Sequence, residues 1–282
     1  MPSLTTDDGR KLAWRETGSG APLVLHCGGP GCSSRYFGEL PELAAQRTLL
    51  LVDPRGTGES DRPSDPKDYG LDAYAADVEA LRKHLQFEQL DLVGHSHGGF
   101  VAMTWAGANP ERVGRLVLAS TAPRFSDEIR NARRKRVSAH EGKPYFQDAI
   151  TALRAHQEGR YESDEELADL YRREGPLFAP PGVDPSHLLA ALAEAGTNAD
   201  ALRHFNDRVS NGMDLRPALE SIEAPTLVIT GDLDPFAPAA KELAGALRRP
   251  TLVMLPGADH FPFLEPGERA QWSQALLDFL AG

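Results

Sequence analysis

"QLDLVGHSHGGFVAMTWAGANP", residues 89–110, is the stretch from which the fold can be read. Its first part is a short apolar run of strand type, and its last part, rich in Ala, Met and Trp, is helical text. Between them Gly94-His95-Ser96-His97-Gly98-Gly99 places two histidines and a serine among glycines. Small residues let a strand turn sharply into a helix, and such a turn lifts the Ser96 hydroxyl above the strand ends. The N-terminus of the following helix then favours negative charge beside it.

Five more runs resemble the first: "PLVLHC" (22–27), "RTLLLVD" (47–53), "VGRLVLAS" (113–120), "PTLVITGD" (225–232) and "PTLVMLPG" (250–257). All are near-continuous rather than alternating, as in strands buried on both faces of a parallel sheet. Helical patterns separate them. In "LDAYAADVEALRKHLQ" Tyr74, Val78, Leu81 and Leu85 form one stripe, and "PGERAQWSQALLDFLAG" offers Trp272, Leu276, Leu277 and Phe279. Strand and helix in alternation predict an α/β protein with a mostly parallel sheet between helical layers. Ligands of such sheets bind beyond the carboxyl ends of the strands, so chemistry is expected just after each run.

From 124 to 215 the strand-like runs vanish and charged helical text takes over, as in "DEIRNARRKRVSAH" and "ESDEELADLYRREG". The segment is too long for a loop and lies between two strand signals. It is read as a helical cap over the carboxyl edge, with 1–123 and 216–282 forming the core domain.

The formal net charge of −11 disfavours nucleic acid and anionic membrane surfaces. No stretch approaches the roughly 18–20 apolar residues of a membrane span, and no secretory leader is visible, so a cytoplasmic location is expected. Cys27 and Cys32 are the only cysteines, which excludes a disulfide framework and argues against structural zinc. Both are read as free, buried thiols, although Cys32, at the start of what reads as a helix, stands where a dipole would acidify it.

A serine hydroxyl attacks a carbonyl only with a base beside it and an acid to orient that base. After Ser96 the chain offers "TGDLDPFAP" and then "PGADHFPF", each directly behind a strand. Asp234 and His260 therefore supply acid and base in the order Ser, Asp, His. Asp232 is the rival acid, read instead as a turn former. His95 and His97 are expected to point away, and His84, His140, His156, His187 and His204 to be surface or lining groups. The developing oxyanion needs donors: the His97 N–H, one residue past Ser96, and one from the glycine-rich loop "HCGGPGCSS" after the first long strand.

Taken together, "HCGGPG", "DPRGTGES", "GHSHGG", "GDLDPFAP" and "DHFPF" resemble the α/β-hydrolase superfamily, and the GGPG element resembles its proline iminopeptidases. The resemblance implies the α/β-hydrolase fold, a Ser96–Asp234–His260 triad, and Gly29 with His97 as the oxyanion hole. Cys27 interrupts the family's usual HGGPG, and counting from His26 selects Gly28 instead of Gly29. The resemblance also implies an insertion carboxylate for a substrate amine, for which Glu174 is the candidate and Glu165, Glu166 and Asp207 are rivals. "DPRGTGES" would be a structural loop. The expected activity is release of an N-terminal residue from short peptides or amides, with esterase, lactonase or thioesterase action on a small acyl substrate as the alternative. No cofactor or metal is implied. A ligand receptor that kept the fold is the non-enzymatic rival; epoxide hydrolases and dehalogenases place aspartate where Ser96 stands.

Overall fold

The six apolar runs become strands in a computed structural model that describes residues 1–282. In chain order the strands are β1 (Ser3–Thr5), β2 (Lys11–Gly18), β3 (Ala21–His26), β4 (Arg47–Val52), β5 (Leu90–His95), β6 (Val113–Ala119), β7 (Thr226–Gly231) and β8 (Pro250–Leu255). They form one sheet in the order β1-β2-β4-β3-β5-β6-β7-β8. The pairs from β4 to β8 are parallel, whereas β1 and β2 run antiparallel to each other and β2 antiparallel to β4. This is the α/β-hydrolase architecture.

Central strands are sealed on both faces: Leu23, Val24, Leu25, Leu92, Val93, Leu116, Val117 and Leu118 are all fully buried. Withdrawing one such side chain from water is worth about 1.5–3 kcal/mol, so these runs fix where the sheet lies. The last run departs from the expected pattern, since β8 pairs only with β7 and leaves Leu252 and Met254 exposed. An edge strand has one flank open, and continuous apolar text does not distinguish it from a central one.

The chain builds β3, moves to β4 on one side, then returns to β5 on the other. The loops after β3 and β5 thus meet where the strand order reverses, the position at which open α/β sheets bind ligands. Loop 53–60 is braced from below. The Arg55 guanidinium donates to both oxygens of Asp77 at 2.8 Å and to the Asp68 and Ala73 carbonyls, and Asp53 accepts the Ser34 and Glu59 N–H groups at 3.0 Å.

Between β6 and β7 the α-helices are Asp127–Ser138, Phe146–Gln157, Asp164–Glu174, Ser186–Ala195, Ala199–His204 and, leading into β7, Arg216–Leu219. Ser126, Ser163 and Asn198 cap three of them by accepting N–H groups of the first turn. The insertion leaves and rejoins the sheet side by side, with Arg124 and Asp214 in an isolated antiparallel bridge. It has a small core of its own around Tyr161, Leu167, Leu170 and Leu202. Arg136 fastens it to the sheet's carboxyl edge, forming a bidentate pair with Asp259 at 2.9 and 3.0 Å and donating to the Leu233 carbonyl. No helix is long and apolar enough to cross a membrane.

Candidate active site

Ser96 sits at φ 53°, ψ −116°, a conformation that L-residues rarely hold. Three hydrogen bonds maintain it: Ser96 N–H donates to the Ala119 carbonyl, and the Ser96 carbonyl accepts from Gly99 N–H and Thr121 Oγ1, each at 2.9 Å. The glycines answer a steric demand. A Cβ on Gly94 would lie 2.4 Å from the Gly98 carbonyl oxygen, and one on Gly98 would lie 2.3 Å from that of His26. Strand and helix can cross this closely only without side chains.

The loops after β7 and β8 bring Asp234 and His260 to the serine. His260 Nε2 lies 3.1 Å from Ser96 Oγ, and Nδ1 lies 3.0 and 3.1 Å from the two Asp234 oxygens. With Nδ1–H donated to the carboxylate, Nε2 is left to accept the serine proton. Asp234 is buried, yet His260 and the accepted hydrogen bonds hold it ionised, with its pKa at about 2 against the opposing effect of burial. Its other donors are Thr230 Oγ1 at 3.0 Å and the Phe236 N–H at 2.9 Å. Asp232 faces elsewhere, exposed and accepting the Gly257 N–H at 2.8 Å.

The two registers of the glycine loop differ in what their N–H groups already do. Gly28 N–H donates to the Tyr36 hydroxyl at 2.5 Å, and a Cβ there would meet Ser96 Cβ at 2.7 Å. The N–H groups of Gly29 and of His97, which opens the helix His97–Ala108, have no acceptor within the chain. Those two remain available to a developing negative charge.

His95 does more than its place in the sequence indicates. Its Nε2–H donates to the His260 carbonyl at 2.8 Å, while Nδ1 accepts from the Tyr36 hydroxyl at 2.6 Å. Burial holds the ring neutral, lowering its pKa to about 3. One buried chain of hydrogen bonds therefore joins the glycine loop, the residue before Ser96 and the backbone of His260. Tyr36→Phe would strand two buried polar groups at about 1–3 kcal/mol each. It is expected to lower kcat tenfold or more through loss of alignment. Single-turnover kinetics beside a urea melt would check this, and unchanged kcat in a destabilised variant would reduce the chain to a structural role.

His97 packs edge-on against Tyr74 and Phe205, at 5.2 Å from each. His140, expected as a surface or lining group, is buried, with ring nitrogens at Tyr145 Oη and the Ala179 carbonyl. Cys32 opens no regular helix: a short 3₁₀ turn, Ser34–Phe37, follows it, and burial pushes the thiol up to about 12. With no α-helix behind Cys32 there is no dipole to acidify it. Glu174 is fully buried; Oε1 accepts from His156 Nδ1 at 2.8 Å, and Oε2 has no partner. Glu165 and Asp207 are exposed on the insertion, and Glu166 accepts the Glu162 N–H at 2.7 Å.

Residues 21–266 match the family described as alpha/beta hydrolase fold. The chain is 29% identical to a proline iminopeptidase of Clostridium botulinum, covering 95% of this chain and 93% of that one. It is 34% identical to a 2-(acetamidomethylene)succinate hydrolase of Mesorhizobium japonicum, over 92% and 88% of the two chains. Among solved structures, a hydrolase of Pseudomonas aeruginosa superposes with a TM-score of 0.70 at 26% identity, over 100% of this chain and 98% of that one.

Proposed function

Given that this chain belongs to the alpha/beta hydrolase fold family and is a serine hydrolase of that fold, we propose that Ser96, His260 and Asp234 hydrolyse short peptides or amides, releasing the N-terminal residue. The supporting observation is the unbroken path from Ser96 Oγ through the imidazole to a buried, ionised carboxylate. Ser96 Oγ bonds to the substrate carbonyl carbon while its proton passes to His260 Nε2. The carbonyl oxygen takes up the electron pair and is held by the Gly29 and His97 N–H groups at a helix start. Collapse of the tetrahedral adduct breaks the bond to the leaving group, which departs with the proton from Nε2. Water, deprotonated by the same nitrogen, then releases the acyl group and restores the serine.

Glu174 supports the amine-bearing substrate class. A buried carboxylate oxygen without a partner is costly, and a substrate ammonium would satisfy it. The likeness to proline iminopeptidase points the same way. A second reading, a carboxylic ester or lactone hydrolase on the same machinery, is favoured by the sealing of Glu174: His156 already holds one oxygen and neither meets solvent. A panel of aminoacyl and acyl chromogenic amides and esters, each aminoacyl member with a free and an acetylated amine, separates the two. The first reading expects acetylation to abolish turnover; turnover indifferent to acetylation gives the site to esters.

A further inference from the structure

Four arginines lie on the insertion helix Asp127–Ser138, and three have polar partners. Arg130 pairs with Asp127, Arg134 donates to Asn131 and Arg136 grips Asp259. Arg133 makes no hydrogen bond or ion pair within the chain. Its guanidinium instead rests on two rings, 5.4 Å from the centroid of Phe125 and 5.0 Å from that of Phe236. Phe236 in turn stacks on His260, with centroids 5.4 Å apart and planes 23° apart.

The side chain of Arg133 is open to solvent. Protein nonetheless crowds it: burial lowers its pKa, and Asp234 alone opposes that drift. The rings under it belong to a larger aromatic cluster, since Phe125 also meets Phe100 and Phe205, which pack against His97 beside Ser96. A guanidinium without a protein partner, seated on aromatic rings one ring away from His260, is a group suited to orienting an anion.

We propose that Arg133 is a specificity-determining residue that binds a carboxylate on the substrate, so that the enzyme acts on short acyl compounds bearing an acid group a few bonds from the scissile carbonyl. A planar guanidinium with its donors free matches a carboxylate bidentately, and an aromatic floor keeps it oriented. The proposal rests on Ser96 as the nucleophile and holds for peptide and ester substrates alike.

The test compares p-nitrophenyl hemiglutarate with p-nitrophenyl valerate, esters of similar length that differ in the terminal acid. Wild-type enzyme is expected to prefer the acidic ester. Arg133→Met should lower kcat/KM on it about 50-fold or more, mainly through KM, and on the neutral ester less than 3-fold. Arg133→Lys, which keeps the charge without the fork, should recover part of the loss. Equal losses on both esters would make Arg133 a brace for Phe125 and Phe236 and overturn the proposal, as would a wild type without preference. Glutarate binding to Ser96→Ala protein, measured by calorimetry, reads the anchor without chemistry. At least 10-fold weaker binding on adding Arg133→Met supports it, and an unchanged Kd overturns it. Arg133-dependent glutarate binding in a protein that turns over neither ester would mark failure of the nucleophile reading alone.

Discussion

Ser96→Ala is expected to cut kcat by ~10³-fold or more, leaving only what binding and the oxyanion donors supply. The size of the effect follows from the geometry. No other hydroxyl is bonded to His260 Nε2, and the remaining ring nitrogen is committed to Asp234. Removing Oγ takes away both the atom that bonds to carbon and the proton that the base would accept. The variant should fold normally, because the backbone bonds of the turn do not involve the side chain. Ser96→Gly should be equally inactive yet more stable than Ser96→Ala by about 1 kcal/mol, since glycine accepts φ 53° without strain. Steady-state kinetics with active-site titration measures the first effect and urea melts the second. A loss of activity below tenfold would take the serine out of the mechanism.

Acid should unfold this protein steeply. His26, His95 and His97 are buried and held neutral, with burial lowering their pKa values to about 4, 3 and 3 from the ordinary 6.5. Between pH 6.5 and about 4 the unfolded chain therefore binds three protons that the folded chain refuses. Stability is full above pH 6.5 and falls as pH drops through that window, at about 1.4 kcal/mol per pH unit for each histidine. Three together give roughly 4 kcal/mol per unit, so about 6 kcal/mol is gone by pH 5 and about 10 kcal/mol by pH 4, against a typical total of about 5–15 kcal/mol, and most of the stability should be lost between pH 5 and 4. Urea midpoints at pH 7.5, 6.0 and 5.0 measure the slope. His97→Phe should remove about one proton from it, and a wild-type slope of less than one proton would contradict the buried neutral rings.

What could be read from the sequence was governed by how locally each feature is determined. Ser96, Asp234 and His260 were readable because each directly follows an apolar strand, and strand ends converge wherever parallel strands pair in register. Tyr36 and His95 were not, because their link runs through space between loops after different strands. Strands β1 and β2 went unread because their text, "SLT" and "KLAWRETG", is short or broken by charges, of which Lys11 and Glu16 face water and Arg15 donates to Ser34. Arg133 stands in "RRKR", a run with the composition of a solvated helix face. Only the fold shows that one of those cations turns toward Phe236 while the other two arginines of the run find amide, acidic or carbonyl partners. The choice between Gly28 and Gly29 likewise depended on Tyr36, whose hydroxyl occupies one N–H and not the other.

Arg136 has a bearing on how such an enzyme could be rebuilt. Its guanidinium spans the insertion, the stretch beside the acid and the residue next to the base. Replacing residues 124–215 by a foreign segment would leave the Asp259 loop held as it is now only if an equivalent cation came with it. Without that pin, Asp259 would lose its counterion and the anchorage of the adjoining imidazole would loosen.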